Sequence, residues 1–103
     1  MDANEMIVIN LIVNSGSARS SAIEAIQYAK AGDMAKANES LQQAKESVNE
    51  AHHSQTEMIQ AEIRGEKAPL NLLMVHAQDH LMTSLVVIDL AQEFIDLYEK
   101  VNK

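Results

Sequence analysis

The chain has 103 residues, 47% of them hydrophobic, which is enough for one folded domain spanning 1–103 and argues against wholesale disorder. Fifteen acidic against eight basic residues give a net charge of −7, and only Tyr28, Phe94 and Tyr98 are aromatic, so binding to a phosphate backbone, stacking on bases and docking on anionic membranes are poor expectations. Cysteine is absent, which removes disulfides, thiol nucleophiles and thiolate metal sites and leaves the redox compartment open.

Three helices are expected, over about 4–31, 33–64 and 70–102, because good helix formers fill the stretches between the few glycines and the single proline. The first helix opens on the apolar run Met6–Val13, which is too short for a membrane span and lacks the flanks of a signal peptide. It is read as neither, and the cytoplasm is the expected compartment. Ile7, Val8, Ile9, Leu11, Ile12 and Val13 nearly encircle this helix, and Gly16 inside it marks a kink or a close helix approach. Gly32–Asp33 is the first break, with Asp33 capping the second helix. Arg64-Gly-Glu-Lys-Ala-Pro69 is the second break, with the third helix starting just after Pro69. Short connections between long helices imply an all-α, antiparallel up-down-up three-helix bundle.

At about 100° per residue, the third helix carries two apolar stripes. One holds Leu72, Leu73, Val87, Leu90, Ala91 and Phe94; the other holds Met74, Leu81, Leu85, Ile88 and Ile95. A helix apolar on two sides needs more cover than two neighbours provide, so a homo-oligomer with these helices near its axis is expected.

Inside the first stripe sit His76, Asp79, His80 and Thr83, at i, i+3, i+4 and i+7. Polar groups there are costly unless hydrogen-bonded, paired or metal-bound. One reading is a satisfied core network in which Asp79 pairs with an imidazole. A second is a divalent metal site, with His76, Asp79 and His80 as ligands in a helical metal-binding oligomer. A third is nucleophilic catalysis, in which a neutral imidazole attacks phosphorus and Gln78, His80 or Thr83 donates hydrogen bonds to the phosphoryl oxygens. Spacing alone does not choose among them. An antiparallel hairpin turning near residue 67 puts residues 52–53 opposite roughly 81–82, so one reading brings His52 or His53 near His80; the favoured reading leaves one exposed and the other packed or hydrogen-bonded locally. Met58, Met74 and Met82 read as core filler.

Asn14-Ser-Gly-Ser-Ala-Arg19, Ala29-Lys-Ala-Gly-Asp33, Asn49-Glu-Ala-His52 with Gln55-Thr56, and above all Val75-His-Ala-Gln-Asp-His-Leu-Met-Thr83 together resemble one family, in order and over nearly the whole chain. It is the enzyme IIA component of the lactose/cellobiose (diacetylchitobiose) class of the bacterial phosphoenolpyruvate-dependent sugar phosphotransferase system. The resemblance implies a homotrimer of nine helices acting as a cytoplasmic phosphoryl carrier, an enzyme with a phosphohistidine intermediate. It implies that His76 takes phosphate from the histidine-containing phosphocarrier protein and passes it to the IIB component, for uptake of a cellobiose- or lactose-type disaccharide. It places Gln78 and His80 around the phosphorylated imidazole, and Asp79 at the trimer axis on a structural metal, usually magnesium. Cellobiose or a related β-glucoside is expected over lactose. His53 is an imidazole that the matched pattern does not require.

Overall fold

A computed structural model of the chain describes residues 3–102. Three helices fill it: α1 (Ala3–Lys30), α2 (Met34–Ile63) and α3 (Leu72–Val101). No strand occurs among the described residues, and no helix is long and apolar enough to cross a membrane.

The two breaks close in the same way. Gly32 N–H donates to the Ala29 carbonyl and Asp33 N–H to that of Tyr28, at 3.0 and 2.9 Å. Gly65 and Glu66 repeat the pattern on Glu62 and Ala61. Both glycines sit at positive φ, 89° and 92°, where a Cβ is strained, so each helix ends in a Schellman turn that needs glycine. Asp33 caps α2 as expected, its carboxylate accepting the Lys36 N–H at 3.1 Å. Pro69 does not start α3. Asn71 is the cap, its side-chain oxygen accepting the Met74 N–H at 2.9 Å, which moves the first helical residue to Leu72. The proline's bias against helix in the residue before it keeps the linker extended up to that point.

Side-chain pairs fix the register. Lys45 reaches Gln92 and Gln55 reaches Gln78, so α2 and α3 run antiparallel. Ser84 donates to the Ser15 carbonyl at 2.9 Å, while Asn4 and Val8 share a groove with Leu73 and Met74, so α1 and α3 run parallel. The result is the expected up-down-up bundle, 54 × 25 × 19 Å.

Its core is built from small residues. Ala18, Ala22, Ala25 and Ala29 of α1 face Ala37, Ala44 and Ala51 of α2 and Ala77 and Ala91 of α3, with Leu11, Leu41, Leu81, Ile88 and Ile95 filling the space between. The second predicted stripe of α3 thus lies inside the protomer: Met74, Leu81, Ile88 and Ile95 are buried and Leu85 packs against them. Most of the first stripe faces outward. Val87 and Ala91, at one border of the stripe, are the exceptions: Val87 packs partly buried against the core and Ala91 is fully buried. On α1, Val8 and Leu11 are buried, whereas Met6, Ile9 and Val13 are 60%, 41% and 60% exposed. Gly16 makes no close approach within the chain, since a Cβ there would meet nothing within 4 Å.

Among the described residues, the Ser15 hydroxyl is the one buried side-chain polar atom without a hydrogen-bond partner. A buried, unsatisfied hydroxyl costs about 1–3 kcal/mol. Ser15→Ala is therefore expected to raise stability by about 1 kcal/mol in urea unfolding, because the Ser84 bond goes to the Ser15 backbone and survives.

Candidate functional site: an imidazole pair on the outward face of α3

The His-Ala-Gln-Asp-His block occupies the first turns of α3. His76 and His80, one turn apart, bring their Nε2 atoms to 3.1 Å, with ring centroids 4.4 Å apart and the rings perpendicular. Two nitrogens at that distance share one proton, so one ring donates and the other presents a lone pair. His76 and Asp79 are exposed and His80 is partly buried. The site is thus an accessible imidazole pair on the helix face that also carries the exposed apolar residues Leu72, Leu73, Leu90 and Phe94.

The other predicted members separate from this pair. Asp79 does not bond an imidazole; its backbone carbonyl accepts from the Thr83 hydroxyl at 2.8 Å. Thr83 also lies 3.3 Å from the His80 carbonyl, so its proton is held by its own helix rather than offered to a ligand. The core network of Asp79 with an imidazole is therefore absent: the His76 and His80 rings turn their Nε2 atoms to each other instead. The three-ligand metal site is not assembled either: no group of three or more His, Asp or Glu side chains converges among the described residues.

Gln78 faces the opposite seam, between α2 and α3. Gln55 donates to its side-chain oxygen at 2.8 Å, and its amide lies against the Met74 sulfur at 3.6 Å. Within one chain Gln78 does not reach His76; two residues on, the helix has turned about 200°.

His52 and His53 follow the local reading rather than an approach to His80. The hairpin register holds, but the α2 side chain in the seam is Gln55, which also contacts the Met82 sulfur at 3.6 Å. Gln55 lies about 40° from the buried Ala51, whereas His52 and His53 lie about 100° and 160° from it. Both are exposed, and His53 pairs with Glu57 at 3.2 Å. The sequence used Gln55 only as part of the family pattern and assigned it no place in the site, although the antiparallel register puts it opposite 78–82.

The chain matches, over residues 6–99, the family described as "PTS system, Lactose/Cellobiose specific IIA subunit". It is 52% identical over 99 residues to the lichenan-specific phosphotransferase enzyme IIA component of Bacillus subtilis, covering 96% of this chain and 90% of that one. The crystal structure of the PTS cellobiose-specific enzyme IIA from Bacillus anthracis superimposes with a TM-score of 0.94 at 57% identity, over 99% of this chain and 94% of that one. The IIA(Chitobiose) chain in the solution structures of its HPr complex, from Escherichia coli, gives a TM-score of 0.84 at 42% identity, with full coverage of both.

Proposed function

The chain belongs to the lactose/cellobiose-specific IIA family of the sugar phosphotransferase system, and we propose that it carries a phosphoryl group on His76 Nε2, received from the histidine-containing phosphocarrier protein and handed to a IIB component. The observation that carries this reading is the 3.1 Å contact between the Nε2 atoms of an exposed His76 and a half-buried His80. When His80 donates, His76 is the tautomer with its proton on Nδ1 and a lone pair on Nε2, the form that attacks phosphorus. The donor nitrogen of the phosphocarrier protein leaves with its electron pair as the new N–P bond forms. The His80 N–H, freed from the lone pair it had bonded, then donates to a phosphoryl oxygen. Transfer to the IIB component reverses these roles.

The E. coli relative solved with HPr supports a phosphocarrier protein as the donor. The lichenan- and cellobiose-specific relatives support a β-glucoside as the sugar delivered by the system. Such a relay runs in the cytoplasm.

A homotrimer of nine helices is part of the same proposal. It is supported by the uncovered apolar face: Leu72, Val86, Leu90, Phe94, Leu97 and Val101 on α3 are 43–84% exposed. On α1, Met6, Ile9, Val13, Gly16, Ser20 and Ile23 recur at alternating three- and four-residue steps, the spacing of a helix-packing seam. Gly16 costs the helix about 1 kcal/mol and gains nothing inside the chain, which suits a close approach by a second copy. Gln78 is held in its own chain's α2–α3 seam by Gln55, away from that chain's His76.

Asp79 fits the structural cation of this assembly. Its carboxylate has no hydrogen bond or ion pair among the described residues, and it stands on the apolar face beside Leu72 and Val86. Symmetry-related carboxylates covered there repel one another, and oxygen ligands suit magnesium over zinc. Magnesium would supply charge neutralisation at the axis.

Two outcomes test the reading. His76→Gln is expected to abolish phosphoryl uptake from the phosphorylated carrier protein while the helical circular dichroism is unchanged; uptake at the wild-type level would refute it. Asp79→Leu is expected to keep uptake and lose the rise in melting temperature that magnesium gives the wild type; a trimeric variant unable to take the phosphoryl group would contradict that division of roles.

A further inference from the structure

The two imidazoles have a second geometric property. A dication bound by two nitrogens at about 2.0–2.1 Å, with N–metal–N angles of about 90–110°, holds those nitrogens about 2.9–3.4 Å apart. His76 and His80 hold theirs at 3.1 Å. Both rings are carried by one continuous helix, both reach solvent, and their Nε2 atoms face each other. We propose that His76 and His80 form a two-nitrogen chelate for a borderline transition-metal dication such as zinc, and that the bound ion and the phosphoryl group exclude each other. The inhibitory half of this proposal rests on the function proposed above; the chelate does not.

Imidazole nitrogen selects zinc, nickel or copper over magnesium, so this ion differs from one held by Asp79. Asp79 takes no part, and water fills the remaining positions. Chelation uses both Nε2 lone pairs. The proton shared between the rings therefore moves, through solvent, to the Nδ1 of the ring that carried it, and no net charge is lost from the protein. With the His76 lone pair bound to metal, no N–P bond forms. With a phosphoryl group on His76 Nε2, one ligand is gone and the chelate falls to a single imidazole. Linkage makes the exclusion reciprocal.

Another candidate chelate lies on the same chain: His53 and Glu57, also one turn apart, at 3.2 Å. It provides the control. Zinc chloride is titrated calorimetrically into the whole protein in magnesium-containing buffer, for the wild type, His76→Gln, His80→Gln and His53→Gln. Affinity is expected to fall about 10²-fold in each of the first two variants, as two linked ligands become one, and to hold in His53→Gln. An affinity unchanged in His76→Gln or His80→Gln, or lowered to the same extent in His53→Gln, overturns the chelate. Zinc is then added to wild-type protein receiving phosphate from pre-phosphorylated carrier protein. Uptake is expected to slow in proportion to the zinc-bound fraction. Normal uptake at saturating zinc overturns the exclusion and leaves the carrier function standing. Zinc bound through both histidines, with no uptake even in its absence, upholds the chelate and overturns the carrier function instead.

Discussion

Replacing His80 with leucine, with His76 left in place, is expected to slow phosphoryl uptake from the carrier protein by about 10²–10³-fold, the usual loss when one positioned donor to a developing charge is removed. His80 has two tasks on the geometry found here: it holds the His76 proton away from Nε2, and it presents an N–H where the phosphoryl oxygens arrive. Leucine performs neither. His80→Gln keeps an N–H donor and is expected to fall between the wild type and the leucine variant. A rapid-quench measurement of the transfer step separates these cases. A leucine variant as fast as the wild type would mean that the pairing is incidental. Because His80 is only partly buried, neither change is expected to alter the fold.

The second large effect is on stability. Leu81 is fully buried at the level of the site, directly after His80. Leu81→Ala is expected to cost about 2–5 kcal/mol, the transfer term plus the cavity left among backbones already held close by alanine. That is a large part of the about 5–15 kcal/mol a domain has. Phe94→Ala makes the contrast. Phe94 is 43% exposed in one chain, so its loss is expected to weaken association rather than the protomer. The melting temperature of Leu81→Ala should lie low at every protein concentration. That of Phe94→Ala should fall mainly on dilution, as mass action requires when folding and assembly are linked. A Phe94 variant whose melting temperature ignores concentration would remove the support that the exposed face gives to the trimer.

Helix number and length were legible in the sequence because Gly32 and Gly65 stop their helices by a local rule, positive φ, that needs no tertiary partner. Asp33 was legible as a cap for the same reason. The start of α3 was not, because Pro69 and Asn71 are both plausible there and only the bond from Met74 N–H to Asn71 decides between them. The two stripes of α3 were visible as periodicity, yet periodicity does not say which stripe a neighbour covers. The structure turns Met74, Leu81, Ile88 and Ile95 inward and leaves Leu72, Leu90 and Phe94 outside, while Ala91, small and at the border, goes in.

The site was half legible. Spacing i, i+4 put His76 and His80 on one side of a helix, and they meet. The same spacing suggested that Asp79 and Thr83 join them, but the Thr83 hydroxyl bonds the helix backbone and the Asp79 carboxylate makes no bond to either ring. The Gln55–Gln78 pair depended on the relative rotation of two helices, which neither sequence segment encodes by itself. His53 found a nearer partner in Glu57 on its own helix.

The central claim is that one nitrogen of one histidine carries the phosphoryl group. Its most direct measurement is a long-range proton–nitrogen correlation spectrum of the uniformly nitrogen-15-labelled chain, before and after phosphorylation by the carrier protein. Phosphorylation is expected to shift Nε2 of His76 to the position of a substituted nitrogen, to perturb the His80 ring through its new hydrogen bond, and to leave His52 and His53 unchanged. A phosphoryl group on His76 Nδ1, or on His80, His52 or His53, would contradict it.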